Sequence, residues 1–369
     1  MKNTIGSSVA VTLFGESHGP SVGAVIDGLA PGIRIDTGFI SSQLELRRPY
    51  GKISTPRVEA DEFSIVSGVY EGVTTGTPVC IIIPNTSQKS SDYTSSRGPA
   101  RPGHADYTAF VKYHGHEDYR GGGHFSGRVT AALTAAGAIA LTALKGKNIT
   151  VGTHIARLGG ISDRALSGDV NVLNEELMLL NKKRFAVLDD RAAEAMEQAV
   201  LRAAEDGDST GGVLETAVTG LPAGVGEPWF DTMEGMLAHG LFSIPGIKGV
   251  QFGGGFDLAD ARGSEYNDPL YIEDGKVLSR TNNNGGVNGG ITNGMPVMFR
   301  CAVKPTPSVH VEQETVDLLR SEGTVTVTGG RHDPAIIHRA RVVVDSVTAI
   351  MLCDMLALRY GTDWLSGNE

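Results

Sequence analysis

Glycine supplies 49 of the 369 residues and is spread along the whole chain rather than gathered in one linker. Because glycine adopts positive φ without steric cost, this distribution predicts many tight turns and places where backbones approach closely. Clusters occur at Gly121–Gly123, Gly253–Gly255, Gly285–Gly286 and Gly289–Gly290. The sequence shows no fixed-period repeat and no Pro- or Ser-rich hinge, so we expect residues 1–369 to form a single domain.

Strands and helices are predicted in an interspersed order. Alternating or β-branched segments bounded by Gly, Pro or Asn predict strands at residues 9–14, 22–26, 79–84, 212–219, 298–303 and 324–328. Helices are predicted at about 128–144, 190–205 and 343–360, the second with Asp190 as its N-cap and Gly207 after its end. The order lacks a regular βαβ period, which indicates an α+β fold or a layered β-α-β arrangement.

Composition narrows the class of protein. The uncharged run 129–144 is short and weakly apolar for a membrane span, so we expect a buried helix there. Met1 is not followed by a secretory apolar region, and Cys80, Cys301 and Cys353 follow no metal-ligand pattern. These features predict a cytoplasmic protein with buried reduced thiols, no metal and no membrane association.

Charge points to a small anionic ligand. A formal net charge of -10 argues against nucleic-acid binding, which needs a basic face. Arginines nevertheless gather in short Gly- or Pro-rich segments, and their forked donors suit phosphate and carboxylate groups. These residues are Arg47, Arg48, Arg97, Arg101, Arg120, Arg128, Arg331, Arg339 and Arg341.

Two segments present histidines that could act as acids. Gly15-Glu16-Ser17-His18-Gly19 ends a predicted strand, and His18 is either a proton donor or a capping residue in a tight turn. In Arg101-Pro102-Gly103-His104-Ala105-Asp106, Arg101 could clamp an acid group and His104 could protonate a departing oxygen. Alternatively this is an exposed basic loop, with Asp106 as N-cap of the next helix.

Three further segments suit anions or acid–base chemistry. In Arg331-His332-Asp333-Pro334, Asp333 is either a base held extended by the proline or a salt-bridge partner of Arg331 and Arg339. The glycine-rich turn before the helix at 128–144 offers amides and Ser126 to an anion. The stiff segment 304–308 offers a lysine and hydroxyl groups.

Read in order along nearly the whole chain, these motifs resemble those of chorismate synthases. Supporting stretches include Arg47-Arg48-Pro49, residues 67–72, residues 74–78 and residues 242–245. The resemblance implies conversion of 5-enolpyruvylshikimate 3-phosphate to chorismate by anti-1,4-elimination of phosphate, requiring reduced flavin mononucleotide (FMN) with no net redox change. It also implies a compact β-α-β sandwich and a homotetramer.

The resemblance implies roles for individual residues as well. His18 resembles the acid near the flavin, His104 the acid that assists phosphate departure, and Asp333 the residue that helps the flavin act as base. Substrate clamps would be Arg47, Arg48, Arg101, Arg128 and Arg339. Flavin contacts would be His124, Phe125, Ser126, Gly289, Lys304, Pro305, Thr306, Pro307, Ser308 and Arg331.

Departures from the family pattern and competing functions stay open. Many relatives have arginine where this chain has His124, so histidine would replace one flavin-phosphate cation. No dinucleotide fingerprint occurs, so we expect an external flavin reductase, with NADPH possible only as reductant. The alternatives are a flavin-dependent oxidoreductase on the same scaffold, acting on another anion, and a non-catalytic phosphate- or flavin-binding protein.

Overall fold

The computed structural model describes residues 2–55, 60–86, 98–328 and 332–366. Its strands are, in chain order, β1 (Thr4–Ile5), β2 (Ala10–Gly15), β3 (Ser21–Asp27), β4 (Ser64–Ser67), β5 (Val69–Tyr70), β6 (Val73–Thr74), β7 (Val79–Pro84), β8 (Thr150–Leu158), β9 (Ile161–Ser162), β10 (Gly212–Thr219), β11 (Ile247–Phe252), β12 (Leu270–Glu273), β13 (Lys276–Ser279), β14 (Val287–Asn288), β15 (Ile291–Thr292), β16 (Val297–Val303), β17 (Gln313–Asp317) and β18 (Glu322–Thr326).

The α-helices are α1 (Thr37–Arg47), α2 (Asp106–Tyr113), α3 (Thr130–Gly146), α4 (Val170–Leu180), α5 (Asp190–Glu205), α6 (Met233–Leu241), α7 (Gly263–Tyr266) and α8 (Ile337–Tyr360). Short 3₁₀ turns occur at Arg120–Phe125, Gly127–Val129, Gly255–Asp260 and Thr362–Ser366.

Two five-stranded antiparallel sheets enclose a helical layer. One sheet has the order β1-β2-β3-β7-β4 and the other β11-β16-β10-β8-β9. Helix α3 packs on β3 and β7 of the first sheet, α8 packs on β8 and β10 of the second, and the two helices pack on each other. The predicted α+β class and layered β-α-β arrangement are therefore confirmed.

Small residues set the spacing of the two central helices. Residues 131–140 of α3 and 340–357 of α8 are buried. A Cβ atom placed on Gly137 would lie 2.2 Å from Cβ of Ser346, so only glycine permits this approach of α3 to α8. This contact holds the helical layer together beneath the functional cleft described below.

The prediction that the uncharged run 129–144 is too short and too weakly apolar for a membrane span was wrong, since the helix that contains it is longer than the run. With the preceding turn it forms a 20-residue helical segment, Gly127–Gly146, that is long and apolar enough to cross a membrane by length and composition alone. However, 72% of its apolar stretch is buried inside the protein. The prediction that it is a buried helix is confirmed.

Element predictions were most accurate where both ends carry turn residues. The strands at 79–84 and 212–219 and the helix at 190–205 have the predicted bounds. The N-cap of α5 is Asp189, not Asp190, because it is the Asp189 carboxylate that accepts a hydrogen bond from Arg191 N. Helix α8 begins six residues earlier than predicted, at Ile337, because buried polar side chains such as His338 and Arg341 interrupt its apolar pattern.

Candidate active site

A cleft of about 1130 Å³ opens between the ends of α3 and α8 and the loops around them. Its apolar wall includes Leu133, Val343 and Ile350 from the two helices and Ile244 and Ile247 from the segment before and within β11. Most of the predicted site residues line it, namely Arg47, Arg101, His104, His124, Phe125, Ser126, Arg128, Lys304, Pro305, Thr306, Pro307, Ser308, Asp333 and Arg339. Residues distant in sequence by up to about 290 positions thus share one cavity.

Four predicted residues are placed differently or are not described. His18 is buried behind the cleft, and Arg48 is adjacent to its rim without lining it. Gly289 lies in the turn between β14 and β15, away from the cleft. Arg331 is outside the residues that the structure describes, as are Arg97 and the glycines at 329 and 330.

A buried carboxylate organises the arginines from α1 and from the start of α3. Arg47 Nη2 donates to Asp61 Oδ2 at 2.9 Å, and Arg128 Nη1 donates to the other oxygen. Burial would raise the pKa of Asp61, but Arg47 and Arg128 outweigh it and hold the pKa below its usual range. Burial, together with Arg339 and Arg128, lowers the pKa of Arg47, although Asp61 opposes that shift. The arginines are therefore fixed in direction before a ligand binds.

Asp333 connects this cluster to α8. Its Oδ1 accepts a hydrogen bond from Thr55 N at 2.9 Å, and its Oδ2 accepts one from Arg339 Nη1 at 2.5 Å. Arg339 Nε also donates to the carbonyl of Arg47 at 2.9 Å. The predicted salt bridge between Asp333 and Arg339 exists, and the same carboxylate lines the cleft. The two interpretations of Asp333 are thus compatible.

His104 belongs to a loop held from two sides. Ala100 N donates to the carbonyl of Val316 in β17 at 3.0 Å, and Lys304 Nζ donates to the carbonyl of Gly103 at 2.5 Å. The alternative in which Asp106 caps the next helix was wrong. Ala105 occupies the N-cap of α2 without a side-chain bond, and the Asp106 carboxylate binds Arg101 and His104 instead.

The glycine-rich turn separates His18 from the cleft. Gly121 lines the cleft, and a Cβ at Gly121 would lie 2.3 Å from Cε1 of His18. Ser17 Oγ lies 3.0 Å from Nδ1 of His18 and donates to the carbonyl of Arg120 at 3.2 Å. His18 is therefore a buried residue directly behind the turn, where backbone rather than a side chain stands between it and a ligand.

Hydroxyl and imidazole groups that line the cleft suit a phosphate ester. Thr306 Oγ1 is buried and has no hydrogen-bond partner among the described residues. His124 Nδ1 donates to the carbonyl of Gly15 at 2.8 Å, which leaves Nε2 for another partner. Ser126 Oγ accepts from Arg128 N at 3.2 Å, and Ser308 is nearly buried in the cleft wall.

Comparison with known proteins identifies the family. The chorismate synthase family model matches residues 9–357. The chain belongs to the chorismate synthase family. Chorismate synthases of Thermococcus kodakarensis and Methanobrevibacter smithii are 44% and 45% identical to it, each over 96% of this chain and 97% and 96% of their own lengths. A crystal structure of chorismate synthase matches with a TM-score of 0.77 at 26% identity, covering 97% of this chain and 94% of that one.

Membership in the chorismate synthase family makes the protein an enzyme of aromatic amino acid biosynthesis, in a family whose reaction is that of a lyase. Several segments that suggested the resemblance, 101–106, 242–245 and 304–308 among them, contribute residues to the cleft. In this chorismate synthase fold the cleft therefore contains two of the candidate catalytic groups, His104 and Asp333, and His18 lies behind it.

Sequence reasoning missed two residues of the site. Asp61 neutralises two arginines, and Asn85 Oδ1 accepts a hydrogen bond from Arg128 Nε at 2.8 Å. Buried arginines need a counter-charge, which predicts that some carboxylate lies near them. The sequence offers no local signal for which one, since Ala60-Asp61-Glu62 reads as an ordinary surface segment.

Proposed function

We propose that the enzyme converts 5-enolpyruvylshikimate 3-phosphate to chorismate by anti-1,4-elimination of phosphate, with reduced FMN bound and no net redox change. The observation that supports this most is the charge of the cleft. In the part of the chain that the structure describes, one acidic residue, Asp333, lines it. Among the described residues the cations that line it are Lys2, Arg47, Arg101, Arg128, Lys248, Lys304 and Arg339. Such an excess suits a substrate with one phosphate and two carboxylates.

The described residues of the cleft would have separate roles in binding the substrate and in transferring protons. Arg47, Arg48, Arg101, Arg128 and Arg339 would bind its phosphate and carboxylates. As the bond between carbon and phosphate oxygen breaks, His104 would donate a proton to the departing oxygen. Asp333, on the same cleft, would assist removal of the hydrogen from the neighbouring carbon. The apolar wall excludes water and strengthens each of these electrostatic contacts.

The cleft also has room and donors for the cofactor. Its volume of about 1130 Å³ exceeds the roughly 300–1,000 Å³ of a pocket for one small molecule. The unpartnered Thr306 Oγ1 and the neighbouring Lys304, Ser126, Ser308 and His124 would hold the polar groups of FMN. When bound, reduced FMN would lend electron density to the substrate ring as the phosphate leaves.

Assembly, reductant and location complete the proposal. Trp229 and Phe230 are 86% and 93% exposed, which supports association of subunits into the proposed homotetramer. An external reductase would supply reduced flavin, with NADPH as the possible source of electrons. The enzyme would act in the cytoplasm.

The direct test is anaerobic turnover of 5-enolpyruvylshikimate 3-phosphate with chemically reduced FMN, following chorismate absorbance and phosphate release. We expect equal amounts of chorismate and phosphate, formed only with reduced flavin. A folded, flavin-binding protein that forms no chorismate would contradict the proposal and favour a flavin-dependent oxidoreductase acting on another anion.

Variants test the roles of the three candidate groups. Replacing His104 or Asp333, which line the cleft, by Ala should leave the fold largely intact and lower turnover by roughly 10²-fold or more, the usual contribution of a proton-transfer group. His18→Ala tests the role that the resemblance implies for the histidine behind the turn, and a loss of similar size is expected if His18 acts as an acid toward the flavin. Circular dichroism and flavin binding serve as controls for folding. Unchanged turnover in all three variants would exclude these assignments.

A further inference from the structure

The carboxylate of Asp106 lies at the centre of the loop that contains His104. Its Oδ2 accepts hydrogen bonds from Arg101 N at 2.9 Å and Arg101 Nε at 2.8 Å. Its Oδ1 lies 2.7 Å from both Arg101 Nη2 and His104 Nδ1. Two side chains of one short loop, Arg101 and His104, are thus fixed by a single carboxylate, and all three side chains are about one-fifth exposed.

These contacts determine which nitrogen of His104 bears the proton. Burial would raise the pKa of Asp106, but hydrogen bonds from Arg101 and His104 outweigh it, so the carboxylate stays ionised and can only accept. Nδ1 must therefore carry a hydrogen and donate it to Oδ1. Arg101 Nη2, 3.1 Å from Nδ1, cannot donate to a nitrogen that is already protonated, and it donates to Oδ1 instead.

We propose that Asp106 is a positioning residue for His104, holding the ring with Nδ1–H bound inside the loop and Nε2 as the atom that serves the cleft. The inference rests on the proposed function, because it concerns the group that protonates the departing phosphate. Nε2 has no hydrogen-bond partner among the described residues. The ring edge that bears it lies against Gly122, where a Cβ would be 3.1 Å from Cε1 and 3.4 Å from Nε2.

The arrangement has a chemical consequence for proton transfer. When His104 is protonated, Nε2–H is donated to the phosphate oxygen as its bond to carbon breaks, and the ring returns to the neutral Nδ1–H form. The charged groups in contact with the ring are Arg101 and Asp106 from its own loop, and Lys304, from the segment after β16, donates to the carbonyl of the preceding Gly103. Asp106 is the one anion among these three groups, so it is the partner that holds the Nδ1–H.

The first test reads the tautomer without any turnover. Nitrogen-15 NMR of the imidazole at a pH where the ring is neutral should show His104 protonated on Nδ1 in the wild type. Asp106→Asn has nearly the same shape and should give a mixture of tautomers or the Nε2–H form. Asp163→Asn is the matched control, because Asp163 pairs with Nδ1 of His154 outside the cleft. It should leave the His104 signals and turnover unchanged.

The second test separates positioning from general loss of structure. With reduced FMN and 5-enolpyruvylshikimate 3-phosphate, Asp106→Asn should lower kcat by roughly 10²-fold. In the His104→Ala background the same change should lower kcat no further, because Asp106 acts through the missing ring. Any effect through Arg101 would appear in KM and would persist in that background.

The outcomes distinguish this inference from the proposed function. An unchanged tautomer in Asp106→Asn, or losses of kcat that multiply in the double variant, would overturn the positioning role even if chorismate forms. A wild-type protein with the Nδ1–H tautomer and no turnover would instead overturn the proposed function. The expected tautomer, its loss in Asp106→Asn and the non-additive kcat together establish the role.

Discussion

Asp61 presents a carboxylate that is wholly shielded from solvent to Nη2 of Arg47, 2.9 Å away. Arg128 donates to the second oxygen, and Nε of Arg48 lies 3.7 Å from Oδ2. A buried arginine without a counter-charge is costly, so this one carboxylate allows two guanidinium groups to stand at the cleft. The binding site for an anion is therefore built around an anion of the protein.

Replacing Asp61 by Asn should lower the free energy of unfolding by about 3–5 kcal/mol, because it removes the carboxylate that balances the charge of two buried guanidinium groups. Urea denaturation at neutral pH measures this. The pKa of Asp61 in the folded protein lies below its ordinary 3.8. The stabilisation is consequently complete above that value and is lost as pH falls through the lower folded pKa, so the two proteins should converge in stability in strong acid.

Glu45→Gln is the control for the Asp61 variant. It removes the surface ion pair between Glu45, whose side chain is 59% exposed, and Arg184. The free energy of unfolding should fall by less than about 1 kcal/mol. If Asp61→Asn is no more destabilising than this control, the buried cluster does not depend on Asp61.

Gly137→Ala should destabilise the protein by about 1–3 kcal/mol through overpacking. The new methyl group would meet Cβ and Cα of Ser346 at 2.2 and 2.5 Å, and the helix backbone cannot move aside as a side-chain end can. This outweighs the gain of about 1 kcal/mol that alanine brings to a helix. Gly146→Ala at the end of the same helix, where no atom lies within 4 Å, should be neutral or stabilising. Equal thermal unfolding of the two variants would contradict the close packing of α3 on α8.

The layered fold follows from local sequence more completely than the site does. The strand at 212–219 was predicted with its observed bounds because glycines delimit it and half of its residues are β-branched. Neither α1, at Thr37–Arg47, nor β8, at Thr150–Leu158, was predicted. The apolar residues of α1 are few, and β8 includes the polar but buried Thr153 and His154, whose partners lie in other strands and in α8.

Most of the residues that line the cleft were predictable by motif, whereas the hydrogen bonds that connect them were not. Arg101, His104 and Asp333 come from loops that meet at the cleft, as the resemblance implied. The alternative in which Asp106 caps the next helix was wrong, because only the folded loop brings Arg101 and His104 to the Asp106 carboxylate. Asp61 was missed since a counter-ion is chosen by tertiary contact and not by spacing.

His154 should make stability fall as pH rises above neutrality. It is fully buried between Asp163 at 3.0 Å and Glu215 at 2.9 Å. Burial lowers its pKa, but hydrogen bonds to both carboxylates outweigh burial and raise the pKa above 6.5. The stabilisation is complete below 6.5 and is lost as pH rises through the folded pKa. His154→Gln should flatten that alkaline decline in urea-denaturation free energies, and an unaltered decline would exclude a charged His154.

His338 should make stability fall on the acid side of the same dependence of stability on pH. Burial, reinforced by Arg339, lowers its pKa to about 3, and Ser54 Oγ lies 2.7 Å from its Nε2. Below about pH 6.5 His338 is protonated in the unfolded chain, whereas in the folded protein it stays neutral until about pH 3. The free energy of unfolding therefore falls by up to about 1.4 kcal/mol per pH unit as the pH drops over that range. His338→Gln should make this acid decline shallower and leave the alkaline limb as in the wild type. If both histidine variants reduce the loss of stability on the same side of neutral pH, then either His154 is not charged or His338 is not neutral in the folded protein, contrary to what their contacts require.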